Sequence, residues 1–428
     1  MARFNVLRRG ARNDGQIGIH GEEGLSTAAP FGPNRIGPLR FVLIFGLVSG
    51  LGDFVYEGAR SIVGPYLATF GASAALVGIV TGVGEAVALV FRLFSGRLSD
   101  RTGRHWAISI TGYAITVISV PLLALAGPLW IACACIVGER FGKAVRTPAR
   151  DTMLAEASAD LGRGRAFAVH EALDQSGALV GPLVIAAILA AGHGYKAAFA
   201  WLAIPGALAM LTLFYLRRQV PRPAAYDPTV HPTQARPVAL HGFSRRFWQY
   251  SAFTAATIAG FATFPLLAYH LEQRHVLTPA QIPITYAVAM GLAALASLAS
   301  GSVYDRIGLR GLVVLPVFGA LVPFLSFSTS VPAVWAGAGL WGALMGVHES
   351  TMRAAVADIV PRERRGVGYG TFTAIYGLAW LTGAAAIGVL YDVAIVAAIT
   401  FTVAVQGLAL LLFIPLLRPP RPAESPLS

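Results

Sequence analysis

The chain contains repeated apolar stretches of roughly 20 residues, the length that a helix needs to cross about 30 Å of hydrocarbon. Twelve such stretches occur in the 428 residues, at approximately 40–63, 73–95, 106–126, 129–149, 166–190, 196–216, 247–270, 281–302, 311–329, 332–352, 366–390 and 393–416. Only 13% of the residues are charged, whereas a soluble chain carries about 25%. We therefore expect an all-α polytopic membrane protein with twelve transmembrane helices.

The basic residues are almost all arginines. The formal net charge is +12, and among the 33 basic residues only Lys143 and Lys196 are lysines. A basic soluble protein would suggest nucleic acid as a partner, but twelve apolar spans exclude that class. Most arginines lie in the tails, the central loop and alternate connections, whereas the opposite connections hold only Arg60, Lys196 and Arg274. The positive-inside rule therefore predicts cytoplasmic termini in a multi-pass protein of the cytoplasmic (inner) membrane.

A proline-rich polar segment divides the chain into two sets of six spans. We expect a cytoplasmic tail over residues 1–37, a six-helix bundle over 38–216, a cytoplasmic linker over 217–246, a second bundle over 247–417 and a cytoplasmic tail over 418–428. The composition of the segment suits a linker rather than a domain. The expected architecture is two six-helix halves joined by one loop.

Two loops at equivalent places in the two halves have related sequences. The loop after the second span reads GRLSDRTGR from position 96, and the loop after the eighth span reads GSVYDRIGLR from position 301. Each loop follows the second span of its own half. An internal repeat in a polytopic chain is typical of secondary transporters.

These loops resemble the signature of the major facilitator superfamily, whose loop between spans 2 and 3 reads approximately G-x-x-x-D-R-x-G-R-R/K. The matching residues are Gly96, Asp100, Arg101, Gly103 and Arg104, with Asp305 and Arg306 in the second copy. The resemblance covers about residues 38–418 and implies the fold of that family. It also implies that these residues form a cytoplasmic gate, which stabilises the outward-facing state and breaks during alternating access. A simple positive-inside anchor explains the arginines, but not the aspartate or the glycines.

Ionisable groups at membrane depth are costly and are therefore candidates for function. In the first span Asp53, Glu57 and Arg60 follow at i, i+4 and i+7, which places them on one helical face. The resemblance implies that this span lines the central cavity, so both carboxyl groups are candidate proton carriers. The alternative is that Arg60 pairs with Glu57 in a purely structural role.

The fourth span contributes Arg140 and Lys143. Arg140 stands where the superfamily has the arginine of an R-x-x-Q-G motif, although Lys143 replaces the glutamine. Two cations at this depth need a carboxylate partner or an anionic ligand. We expect Arg146 and Arg150, further along the same helix, to belong to the cytoplasmic gate.

The fifth span offers His170, Glu171 and Asp174, in which a histidine beside carboxylates suits a proton relay. Alternatively, one of these acids neutralises Arg140 or Lys143. The following Gly-x-x-x-Gly-Pro stretch, residues 177–182, partly resembles a motif that antiporters of the superfamily carry.

We therefore expect a secondary active transporter and not an enzyme. No G-x-x-x-x-G-K-[ST] nucleotide-binding string is present, so an ion or solute gradient has to supply the energy. The expected function is proton-coupled export of a small molecule, and the alternative is uptake or exchange of a small organic anion. The expected partners are that substrate, protons and the lipid bilayer, with no cofactor, metal ion or nucleic acid, and the expected oligomeric state is a monomer.

Overall fold

The computed structural model describes residues 35–158, 161–226, 242–361 and 364–417. Nearly all of the predicted tail over 1–37, much of the predicted linker over 217–246 and the whole of 418–428 lie outside the described residues. The described ranges form helices joined by short turns and contain no strand.

The described residues of the first half form eight α-helices. They are α1 (Pro38–Arg60), α2 (Val63–Ala68), α3 (Ala74–Thr102), α4 (His105–Leu122), α5 (Leu129–Ala157), α6 (Arg163–Ala190), α7 (Tyr195–Trp201) and α8 (Ala203–Gln219). In this half α2 continues α1, and α8 continues α7, after a break of one or two residues.

In the second half, the described residues form eight more α-helices. They are α9 (Arg245–Ala259), α10 (Phe264–Gln273), α11 (Gln281–Ile307), α12 (Val314–Gly319), α13 (Val322–Ser326), α14 (Val331–Ile359), α15 (Arg365–Val393) and α16 (Ile395–Phe413). In both halves the first span is divided into two helices, α1 and α2 in one half and α9 and α10 in the other.

Nine helical segments in the described part of the chain are long and apolar enough to cross a membrane. One of them, Gln281–Ser326, has 46 residues and contains the predicted eighth span and most of the ninth. The predicted fourth and tenth spans are the helices α5 and α14, each 29 residues long. Buried charges lower the mean hydropathy of α5. The prediction of twelve transmembrane helices in two six-helix halves is confirmed.

Several predicted spans are broken rather than continuous. The seventh span divides between Ala259 and Phe264, because Pro265 at the start of α10 cannot donate a helical hydrogen bond to the preceding turn. The first span breaks at Ser61, whose hydroxyl donates to the Gly58 carbonyl oxygen at 2.6 Å. Broken helices at membrane depth need buried partners for the freed backbone groups. Both breaks lie in the protein interior.

Within the first half, α1 packs closely against α6. A Cβ atom at Gly177 would lie 1.8 Å from the Gly50 carbonyl oxygen, and one at Gly181 would lie 2.4 Å from the Phe54 carbonyl oxygen. Small residues allow backbones to approach in this way, and such contacts stabilise helix pairs in membranes. The Gly-x-x-x-Gly stretch of the fifth span is therefore a packing surface for the first span.

The two halves meet tightly at the end of the bundle where α3 begins, which we call the closed end. A Cβ atom at Gly64 would lie 1.9 Å from the Pro265 carbonyl oxygen. The Asp392 carboxylate, at the end of α15, accepts hydrogen bonds from the backbone N–H groups of Ala74 and Ala75 at 2.9 and 2.8 Å. It thus caps the first turn of α3 from the other half of the chain.

The opposite end of the bundle, where α3 ends and α15 begins, carries the predicted gate loops, and we call it the basic end. Exposed side chains there include Asp100, Arg101, Arg104, Asp305 and Arg306. Within the described residues none of these five forms an ion pair. Gly103 ends α3 with a left-handed φ of 62°, a conformation that glycine adopts without strain.

We predict that Gly177→Ala lowers the thermal unfolding temperature of the detergent-purified protein, because the new methyl group cannot fit against Gly50. Overpacking of this kind costs about 1–3 kcal/mol. The matched control is Gly407→Ala on α16, where no atom lies within 4 Å of the added Cβ. Equal unfolding temperatures for the two variants would contradict the close packing of α1 on α6.

Candidate functional site

A cavity of about 300 Å³ lies between the two halves. It extends from Arg60 and Trp380, deep in the bundle, to Gly366 near the start of α15 at the basic end. Residues of α1, α3 and α5 line one side, and residues of α14 and α15 line the other. Gly64, Pro265 and Asp392, which form the contacts at the closed end, do not line it.

The wall from the first half is charged. Its charged members are Arg60, Glu85, Arg92, Arg140 and Lys143. Glu85 lies between two of the cations: its Oε1 is 2.9 Å from Arg60 and 3.3 Å from Arg140. One buried carboxylate therefore holds two guanidinium groups from α1 and α5, a geometry that stabilises charges at low dielectric.

Tyr56 stands at the centre of this wall. Its hydroxyl oxygen accepts hydrogen bonds from Arg60 at 2.7 Å and from Arg140. The Lys143 ammonium lies 3.8 Å from the centre of its ring, which is a cation–π contact. Among the described residues, no carboxylate oxygen lies within 4.0 Å of that ammonium. Lys143 thus differs from Arg60 and Arg140, which both contact Glu85 directly.

A second ion pair, between α1 and α5, lies outside the cavity lining. Arg146 donates to the Asp53 carboxylate at 2.9 Å, and its side chain is only 1% exposed. Its guanidinium also lies 4.5 Å from the centre of the Tyr113 ring. Gly52 leaves room for it, because a Cβ atom there would lie 2.8 Å from Arg146 Nη1. The sequence places Arg146 in the gate and gives no sign that it pairs with the buried carboxylate of Asp53.

The polar residues of α6 separate into two groups. Asp174 Oδ2 lies 4.0 Å from Arg150, and His170 Nε2 lies 2.9 Å from the Ser49 hydroxyl. Glu171 instead is exposed and accepts a hydrogen bond from Gln175 at 3.0 Å. The structure therefore brings the histidine and Asp174 towards α1 and α5, and leaves Glu171 outside.

Neither acid of α6 neutralises Arg140 or Lys143. Arg140 contacts Glu85 and its own neighbour Glu139, at 3.3 Å each. For Arg140, the alternative in which an acid of the fifth span is the partner is thus replaced by pairing with Glu85 of α3, the second span. Glu85 is separated from Arg140 by 55 positions, and only the packing of α3 on α5 brings the two groups together.

Glu57 connects the two halves. Its carboxylate accepts a hydrogen bond from the hydroxyl of Tyr286 on α11, and Arg60 lies 3.9 Å from the same oxygen. The short-range contact with Arg60 is the one that the spacing suggests. The contact with Tyr286 carries no sequence signal, because the tyrosine lies 229 positions away in the chain.

The wall from the second half is mainly apolar and aromatic. It includes Met345, His348, Met352, Phe372, Tyr376 and Trp380. The Tyr376 hydroxyl lies 3.2 Å from His348 Nδ1, and the Tyr376 and Trp380 rings meet edge to face at 5.9 Å. The cavity is therefore polar and basic on one side and apolar on the other. Glu349 is the one charged residue on this second wall within the described ranges.

The described residues hold no cluster of three histidine, cysteine or acidic side chains suited to a metal ion. Cys133 and Cys135 are free and partly buried. Of the residues in this site, sequence reasoning missed Tyr56 and Tyr286, since a tyrosine in an apolar span is usually a packing residue.

Comparison with known families gives a match over most of the chain. The model of the Major Facilitator Superfamily matches residues 42–322 and 250–428. An uncharacterised protein of Mycobacterium tuberculosis is 48% identical over 414 residues, which cover 96% of this chain and 100% of that protein. An uncharacterised MFS-type transporter of Methanocaldococcus jannaschii is 22% identical and covers 82% of this chain and 88% of its own length.

Two further matches concern part of the chain and the fold. The multidrug resistance protein MdtH of Yersinia enterocolitica is 29% identical over 147 residues, 34% of this chain and 35% of that protein. Among solved structures, a bacterial homologue of the human lysosomal transporter Spinster, in an inward-facing and occupied conformation, has a TM-score of 0.70. It is 17% identical, and the match covers 88% of this chain and 97% of that one. This likeness concerns the fold.

We predict that Arg146→Gln strongly destabilises the protein, because it leaves the Asp53 carboxylate buried without its cation. Breaking a buried ion pair on one side costs about 3–5 kcal/mol. The double variant Asp53→Asn/Arg146→Gln removes both charges and should regain most of the lost stability. Thermal unfolding in detergent measures both, with Arg97→Gln at an exposed position as control. Additive losses in the double variant would contradict the pairing.

Proposed function

This chain belongs to the major facilitator superfamily, and we propose that it is a secondary active transporter that moves a small molecule across the cytoplasmic membrane by alternating access. The observation that carries the proposal is the cavity between the halves, which reaches the basic end while the closed end is sealed by contacts between the halves. A binding site at the interface of two repeats, open to one side at a time, is the arrangement that such transport requires.

The distribution of arginines supports an assignment of the two ends. The basic end carries the arginines of the gate loops, whereas the closed end is poor in basic residues. The positive-inside rule then makes the basic end cytoplasmic. In this orientation the cavity faces the cytoplasm, and both termini lie on that side as well.

The antiparallel helices α3 and α15 suggest how the two states exchange. Asp392 at the end of α15 caps the start of α3 at the closed end. Asp100 stands in the last turn of α3, at the basic end, where α15 begins, and is exposed. In the outward-facing state Asp100 takes the corresponding place at the exposed N–H groups of α15, and Asp392 releases α3. Each state thus engages one of two aspartates.

Proton coupling is the second part of the proposal. The candidate proton carriers are Asp53, paired with Arg146, and Asp174, 4.0 Å from Arg150. Asp174 Oδ1 is buried and has no hydrogen-bond partner among the described residues. A proton on Asp174 would remove its attraction to Arg150 and so change the contact between α5 and α6. Protonation thereby acts on the helices that carry the charged wall.

Export is the proposed direction. Two observations support it, namely the partial match to a multidrug resistance protein and the glycine motif of α6, which resembles that of antiporters. Uptake or exchange of an organic anion is the second candidate, because Lys143 faces the cavity without a carboxylate in contact. Both candidate functions require that the substrate binds in the cavity.

We predict that Asp392→Ala opens the closed end, because α3 loses the two hydrogen bonds that its backbone N–H groups donate to the Asp392 carboxylate. Loss of a helix cap costs about 0.5–2 kcal/mol, which raises the population of the other state by about two- to thirty-fold. The measurement is the distance between spin labels at Thr69→Cys and Gln273→Cys, in nanodiscs, with Cys133 and Cys135 replaced by alanine.

The matched control for this experiment is Asp392→Asn, which keeps one capping oxygen and should retain most of the closed population. A label distance that is unchanged in Asp392→Ala would contradict the capping role and, with it, the exchange between two aspartates.

We predict that the Asp174→Asn variant adopts, at every pH, the conformation that low pH induces in the wild-type protein. Labels at Leu98→Cys and Ser302→Cys, exposed at the basic end, report the distance between the halves between about pH 5 and pH 8. The variant should show the low-pH distance throughout, because asparagine carries no charge to attract Arg150.

Several other groups face Asp174 and must be separated from it: Asp53, Arg146, Arg150, His170 and Glu171. His170→Gln tests the histidine, and Glu171→Gln on the exposed side of the same helix is the matched control. A pH response that survives in Asp174→Asn but disappears in His170→Gln would assign the coupling to the histidine and reject Asp174.

A further inference from the structure

We propose that the cavity binds an amphipathic organic anion, with one carboxylate or a similar acidic group on a small apolar body. The proposal rests on the proposed transport function, because it names the substrate class for the same cavity. It follows from the placement of charges around the cavity, from the state of Lys143 and from the apolar wall opposite.

The charged residues that line the cavity are mainly cations. The residues that line the cavity include four cations, Arg60, Arg92, Arg140 and Lys143, and two carboxylates, Glu85 and Glu349. Four further carboxylates of this region, Asp53, Glu57, Glu139 and Asp174, do not line the cavity. Of these, Glu57 contacts Arg60 and Glu139 contacts Arg140 from behind the wall. The lining itself has two positive charges in excess, but Glu57 and Glu139 also pair with Arg60 and Arg140, so the attraction for an anion is centred on Lys143.

Lys143 is the cation of the lining with which an acidic group of a ligand can form an ion pair. The guanidinium groups of Arg60 and Arg140 already contact Glu85 and donate to Tyr56. The Lys143 ammonium lies over the Tyr56 ring and contacts no carboxylate of the described chain. An ammonium has three donors, and a carboxylate from a ligand would supply the charge-assisted hydrogen bond that no carboxylate of the described residues supplies.

The opposite wall determines the rest of the ligand. Phe372, Tyr376 and Trp380 present aromatic surface, and Met345 and Met352 present thioether groups that adapt to irregular shapes. Such a wall favours an aromatic or aliphatic body over a sugar or a second charged group. The volume of about 300 Å³ is at the lower end of the range for small-molecule pockets, about 300–1,000 Å³. The ligand is therefore small.

Matched probes test the charge of the ligand. Naphthoate, naphthamide and naphthylmethylammonium share one aromatic body and differ in charge, and octanoate and octylammonium form a corresponding aliphatic pair. Binding to the full-length protein in detergent is measured by thermal shift and by fluorescence of the protein's tryptophans. We expect the anions to raise the unfolding temperature, and the neutral and cationic probes to have little effect.

Variants of Lys143 identify the site of the acidic group. Lys143→Met keeps the length of the side chain and removes the charge, and it should weaken binding of the anion by at least about tenfold. Lys143→Arg should restore much of the affinity. The matched control is Lys196→Ala, which changes the only other lysine of the chain, at an exposed position outside the cavity lining.

The outcomes separate this proposal from the proposed function. Stronger stabilisation by the cations, no stabilisation by either anion, or anion binding unaltered in Lys143→Met would overturn the proposal of an anionic substrate. The spin-label distances at the two ends report alternating access independently of the probes. If the cations bind and change those distances, the transport function stands and only the substrate class is wrong.

Discussion

The ion pairs that connect α1, α3 and α5 are the constraint on which the site depends. Charged side chains within a membrane must find partners inside the protein, and here Glu85 contacts Arg60 and Arg140 while Asp53 contacts Arg146. Because each pair joins two different helices, the charges fix how these helices are placed relative to one another. The cavity wall is a consequence of that arrangement, and it includes Lys143, whose ammonium contacts no carboxylate of the described residues.

Glycines make this arrangement sterically possible. Gly52 leaves room for the guanidinium of Arg146, and Gly84 leaves room for the stem of Arg140, which a Cβ atom would approach to 2.8 Å. Long side chains can thus lie between closely packed helices only where the facing residue is small. The same residue type also brings α1 onto α6 and the two halves together at the closed end. The buried ion pairs therefore depend on the small residues that face them.

The sequence predicts the fold much better than the contacts of the site. Apolar length, arginine distribution and the repeated loop suffice for twelve spans in two halves, because these signals are local. The spacing of Asp53, Glu57 and Arg60 also correctly indicates a shared face, and the contact of Arg60 with Glu57 follows from it. The partners of Arg140 and Arg146 do not follow, since they depend on which helices pack together. The breaks in the first and seventh spans do not follow from the sequence either, because the apolar stretches continue through them.

The two halves divide the chemistry of the cavity unequally, although they share a repeat. The first half supplies the buried charges and the proposed proton carriers, whereas the second supplies mainly apolar and aromatic surface. A ligand bound between them therefore contacts a rigid network of ion pairs on one side and an adaptable apolar wall on the other. Since the acids behind the charged wall also hold its arginines, a change in their protonation would alter the wall that the ligand meets. Substrate binding and proton binding would then be coupled through shared cations, without a direct contact between proton and ligand.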